Sequence, residues 1–173
     1  MERLARSANT HTMTDTYSRS LTIAAALGAG VTAGVYFAFS TFVMAGIRKL
    51  APSQSIAAMN AMNKAAPASP LFMLLLFGTA VGCVLLAISG FQHQGSPAAT
   101  WQLVGCALYL VSLFVTMIYH VPHNDQLMKV DPNSAGAAQT WSHFIKPWMA
   151  WTHVRTVAAL GGTASLVYSL RAR

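Results

Sequence analysis

His120 and His123 stand one helical turn apart in the run YHVPHNDQL, residues 119–127, so both imidazoles can face a common point. Asn124 and Asp125 follow at once, making this the densest cluster of ligand-type groups in the chain. A second polar run, WSHFIKPWMAWTHVRT at residues 141–156, adds His143, His153 and Arg155. Neutral imidazoles bind copper, zinc, iron or nickel, and three of them with an open position make a reactive centre. His120, His123 and His153 are therefore the candidate metal ligands, with copper favoured over iron; a site without any cofactor is the alternative. Asp125 suits a general base, or a group that orients an imidazole ring. Asn124 and Arg155 suit stabilisation of a developing oxyanion. Against these stand plainer structural readings: H-x-x-H recurs by chance as a hydrogen-bonded pair, and an arginine near a helix end snorkels its charge toward water.

The elements that position these groups follow from composition. Of 173 residues, 54% are hydrophobic and only 9% charged, against about 25% charged in ordinary soluble domains. Mean hydropathy is +0.47. That excess excludes a disordered chain, a coiled coil and an ordinary soluble enzyme, and requires lipid as solvent. The net charge of +7 is spread along the chain without a basic run, which excludes nucleic acid as a partner. Four apolar stretches, about 21–47, 71–91, 101–120 and 151–170, approach the roughly 20 residues a helix needs to cross a bilayer. The reading is an all-α integral-membrane four-helix bundle over residues 21–173, with short interfacial helices in the two long loops. Residues 1–20 read as a polar, disordered N-terminal segment. A bacterial cytoplasmic membrane is the expected location. Lys and Arg divide evenly between the two sides, so the positive-inside rule sets no orientation.

Four crossings would put both termini on one face and both long links, about 48–70 and 120–150, on the other. The polar chemistry then gathers at one end of the bundle. The first link reads as an amphipathic helix: Ile56, Met59 and Met62 share one side, and Asn63 is placed to project into the bundle mouth as a substrate-binding group. The second link holds both histidine runs. Trp101, Trp141, Trp148 and Trp151 fall near the boundaries as an aromatic belt, and Trp151 is also a candidate to stack on a flat aromatic ligand. Gly30/Gly34 and Gly78/Gly82 have GxxxG spacing, which serves packing within the bundle or a homo-oligomer. Cys83 and Cys106 read as small packing residues.

These segments also carry a family resemblance. GVYFAFSTFVMAGIRKL, then SIAAMNAMNKA with a later Pro, then VPHNDQL, then W-x-x-W-THVRT recur in this order over roughly residues 25–170. Together they resemble the anthrone oxygenases, small four-helix membrane proteins. The resemblance implies oxidation by molecular oxygen of a hydrophobic, aromatic or polyketide-like substrate arriving from the bilayer. It carries over Asn63, Pro122, Asn124, His153, Arg155 and Thr156. The chain departs from the family pattern in having His120 for an Asn, His123 for an aliphatic residue and Thr152 for an Asn. The competing reading is a non-enzymatic membrane protein: a metal or small-solute carrier, or a subunit of a membrane complex. Polar groups at mid-membrane depth are mainly hydroxyls, and no internal repeat is visible; both features favour the enzyme.

Overall fold

A computed structural model describes residues 2–92 and 95–172, with side chains from Thr16 onward. Every regular element is helical. The chain runs through α1 (Glu2–Ala38), a π-helical turn (Phe39–Val43), α2 (Met44–Ile47), α3 (Pro52–Ala68), α4 (Pro70–Gln92), α5 (Pro97–Val115), a second π-helical turn (Thr116–His120), α6 (Val121–Met128) and α7 (Ala137–Ser169). Proline punctuates the starts. Pro52, Pro70 and Pro97 each open a helix, where the missing N–H has no intrahelical partner to lose. Ser96 caps α5 by accepting from the Ala99 N–H at 3.1 Å.

Three helices are long and apolar enough to cross a membrane among the described residues: Thr16–Ile47, Pro70–Gln92 and the continuous Pro97–Met128. The simple bundle of four apolar crossings is thereby corrected. The fourth stretch belongs to α7, which starts at Ala137, well before Trp151, and is too polar to qualify. From Thr152 onward most of its polar groups face inward, His153 excepted. Thr152, Arg155, Thr156 and Ser165 are buried, while Val154, Val157, Leu160 and Val167 are exposed. Backbone α1 reaches back to Glu2, through the segment read from sequence as disordered. Pro122 does not end the third helix. It lies just after the second π turn, where the wider backbone accommodates the missing N–H and the helix runs on to Met128.

Helix α7 packs on α5 and α1, and α4 packs on the same two helices. Lipid supplies no hydrophobic drive between helices, so close approach must come from small residues. Between α5 and α7 the two backbones themselves come close. A Cβ on Gly105 would lie 2.7 Å from Leu166 Cγ and 3.0 Å from the Gly162 carbonyl oxygen. On Gly28 of α1 it would collide with the Thr79 hydroxyl of α4. Of the GxxxG pairs, a Cβ on Gly30 would lie 3.4 Å from Thr163 of α7 and one on Gly82 3.7 Å from Leu21 of α1, whereas on Gly34 or Gly78 it would meet no neighbouring helix. Around these glycines Ala25, Ala29, Cys83, Cys106 and Leu166 form a dry core. Two hydroxyls in this half are satisfied within their own helices, Thr32 donating to the Gly28 carbonyl at 2.9 Å and Ser165 to the Gly161 carbonyl at 2.8 Å, while Tyr109 of α5 donates across to the Leu76 carbonyl of α4 at 2.9 Å.

Candidate functional site

The opposite end of the bundle is hollow. A cavity of about 350 Å³ lies among α1, α3, α4, the second π turn, α6 and α7. Its walls are largely apolar, with Phe39, Met59, Met62, Phe72 and Leu76 among them. Helix α3 forms one wall because Ile56 and Met59, one turn apart, are buried and dock it onto the bundle. The Ser55 hydroxyl locks its first turn by donating to the Ile47 carbonyl at 2.8 Å. One turn beyond Met59, Asn63 then reaches the cavity. The π turns flank the space: the first sets Phe39 in its wall, the second Thr116 and His120. Such turns in otherwise regular helices are frequent at functional sites.

Arg155 lies at the back, 6% exposed. Its guanidinium carbon sits 4.2 Å from the centre of the Tyr36 ring and 5.4 Å from that of Trp148. Nη1 donates to Thr116 Oγ1 at 3.4 Å. Thr116 spends its own proton on the Ser112 carbonyl at 3.0 Å, so its oxygen accepts from Arg155 and from the Tyr36 hydroxyl at 3.1 Å. Arg155 Nε has no partner within the protein, and among the described residues no carboxylate pairs with the guanidinium. A buried cation held only by ring faces and one hydroxyl is costly, and marks a functional position by default. Asn63 Nδ2 and Asn60 Oδ1 are likewise buried without partners. Trp148 donates from Nε1 to Asn124 Oδ1 at 2.9 Å, which leaves the Asn124 amide NH2 to donate elsewhere. The site thus offers several hydrogen-bond donors to a mainly apolar guest.

Of the residues singled out in the sequence, Asn63, His120, Asn124, Asp125 and Arg155 line this cavity. His123, His153 and Trp151 do not. His123 stacks on Tyr119 at 4.0 Å and its Nδ1 bonds to the Tyr119 carbonyl at 2.7 Å. His153 points out of the bundle on the far side of α7, with Nδ1 bonded to Ser40 Oγ. Trp151 packs against Tyr119, its ring centre 5.3 Å away. His120 is buried with both nitrogens engaged, Nε2 by Thr152 Oγ1 at 3.0 Å and Nδ1 by the Val115 carbonyl at 3.3 Å. The copper or iron centre of His120, His123 and His153 is therefore corrected: among the described residues no three His, Cys, Asp or Glu side chains gather to hold a metal ion. His120 instead presents its ring edge-on to Trp148 at 5.1 Å, bracing the indole that holds Asn124.

Sequence reasoning missed Tyr36, Thr116 and Trp148. Trp148, a belt residue by its place in the sequence, is buried in the site. Its signal was available, since Trp148, Thr152 and Arg155 follow the four-then-three spacing of one helix face. Nothing in the sequence marked Tyr36.

Comparison with known proteins gives one finding. The family model described as anthrone oxygenase matches residues 71–165, more than half of the chain. The matched span carries His120, Asn124, Asp125, Trp148 and Arg155; Tyr36 and Asn63 lie before it. No curated protein and no solved structure matches the chain.

Proposed function

The chain belongs to the anthrone oxygenase family, and from that premise we propose that it is a membrane oxygenase whose substrate, a hydrophobic aromatic or polyketide-like molecule, is held in the Arg155 cavity. The single observation that carries this reading is the unpaired, buried guanidinium at the back of an apolar hollow. Helix α7 serves as a fourth crossing in this reading, its polar side shielded by α1 and α5 and its valine and leucine side turned to lipid.

An anthrone is activated at the carbon between its rings, which is conjugated to a ring carbonyl. Asp125, on the cavity lining and exposed at its mouth, is the base placed to take a proton from that carbon. The electron pair left behind delocalises onto the carbonyl oxygen. Arg155, Asn124 and Asn63, all on the cavity lining, are the donors to that oxyanion in this reading. The electron-rich carbon then reacts with molecular oxygen. One oxygen atom becomes the new carbonyl oxygen, and the other leaves as water with the two hydrogens lost from the carbon. Tyr36, Thr116 and Trp148 hold the guanidinium in place; His120 and Trp148 hold Asn124. The Trp148 and Phe39 rings and the methionines accept a flat apolar molecule.

The test is oxygen uptake by the purified protein in lipid nanodiscs supplied with an anthrone. Uptake matched mole for mole by anthraquinone formation, above the rate in empty nanodiscs, is the expected result. A rate equal to that of empty nanodiscs across anthrones of differing ring substitution overturns the reading.

A further inference from the structure

The cavity has its opening on one side, and the exposed lining residues locate it. On the helix running from α5 through the π turn into α6, Met117, Val121 and Asp125 recur every four residues and form one edge. Met117 is 44% and Val121 39% exposed. On α4, Phe77 at 43% exposure and Met73 one turn away form the other edge. Pro67, near the end of α3, bridges the top. Helix α4 packs on α5 below this level and on α3 above it, but has no comparable packing on the π turn or α6. What separates the two edges is a slot. Both flanking helices are among the three long and apolar enough to cross a membrane, and in a bilayer that they span the apolar stretch of the slot would face hydrocarbon rather than water. Only its top, at Asp125 and Pro67, lies toward the polar end.

We infer that this slot is a side door, through which the substrate moves from the bilayer into the cavity, and that Phe77, Met117 and Val121 set the width it admits. The inference rests on the proposed function for the identity of the guest, and adds its route and the residues that select its size. An apolar ring system is concentrated in hydrocarbon, so a lateral path spares it the passage through water that a top opening would demand. Unbranched methionine and a ring edge are side chains that can swing aside without disturbing the backbone. Arg155 and Trp148, on α7 across the cavity, meet the guest only after it has entered.

The test uses the full chain in nanodiscs of phosphatidylcholine and phosphatidylglycerol, mixed with liposomes carrying anthraquinone. Binding is followed by the saturable part of the tryptophan quenching that Trp148→Phe abolishes. The door predicts that the Met117→Phe/Val121→Phe pair slows association by about tenfold, while Pro67→Phe at the top changes it by less than about twofold. Met117→Ala/Val121→Ala, which removes volume and does not depend on accommodating bulk, is expected to admit a four-ring naphthacenequinone that the native chain excludes. Slowing by Pro67→Phe but not by the Met117/Val121 pair would overturn the door while leaving the cavity's occupant in place. Unchanged association and unchanged size selection in both pairs would do the same. Absence of any saturable quenching in the native protein would overturn the reading of the cavity, and the door with it.

Discussion

Among the described residues, two hollows of nearly equal size differ sharply in the chemistry they offer. The groove between α1 and α4, about 370 Å³, is lined by Leu21, Ala24, Gly28, Val31, Leu74 and similar residues, with Thr79 as its one hydroxyl. The cavity at the other end, about 350 Å³, collects an arginine, two asparagines, an aspartate, a histidine and a tyrosine. Volume therefore does not mark the site; converging donors without partners do. The groove borders a half of the molecule where glycine brings helices together and where Thr32, Ser165 and Tyr109 all have backbone carbonyls for their hydroxyl protons. In the other half π turns, methionines and aromatic rings hold the helices apart, and the orphaned atoms of Asn60, Asn63 and Arg155 collect there.

Removing the charge should separate the two halves most sharply. Arg155→Gln is expected to lower kcat/KM for an anthrone about 10²–10³-fold, as loss of one oxyanion donor does. Thermal unfolding in detergent should be unchanged or raised, because a buried unpaired cation is costly to the fold. A variant within twofold of native activity would break the contrast. Gly105→Ala should do the converse. Forcing α5 from α7 costs roughly 1–3 kcal/mol, read as a lowered melting temperature, with anthraquinone affinity retained in the folded fraction. Trp148→Phe comes next. It leaves Asn124 Oδ1 unpaired at the cavity edge, and ligand affinity should fall by about 0.5–1.5 kcal/mol in a quenching-independent titration such as calorimetry. Smallest are His123→Ala and His153→Ala, each expected within about 0.5 kcal/mol of native activity, since both side chains lie outside the cavity. A tenfold loss in either would refute their exclusion from the site.

The apolar spans were legible because run length and hydropathy are bulk properties that no rotation of a helix changes. The extent of α7 was not, since the apolar run from Trp151 is only its second half and the helix begins at Ala137, in a polar stretch with no hydropathy signal. Asn63, Asn124, Asp125 and Arg155 were legible as chemistry, and their gathering at one end followed from topology. The triple-histidine convergence failed on a point the sequence already contained. His153 and Arg155 are two residues apart, about 200° around a helix, and cannot both face one cavity. His120 bonds to Thr152 and His123 to the Tyr119 carbonyl, so the two rings present no shared set of free nitrogens to an ion, and no residue pattern announced the π turn that ends at His120. Tyr36 sits among small and apolar residues of α1, and only the facing guanidinium makes it part of the site.

The most direct measurement is to find where a flat aromatic ketone sits. Anthraquinone abstracts hydrogen under near-ultraviolet light and couples to whatever C–H bond is nearest. Photolabelling of the native protein in nanodiscs, followed by peptide mass spectrometry, would locate it. The account predicts saturable adducts on Met59, Met62, Leu76 and Thr116, competed by excess anthrone and lost in Arg155→Gln when the ligand carries an ionised phenol. Saturable adducts confined to Leu27, Val31 and Leu74 in the other groove would contradict it.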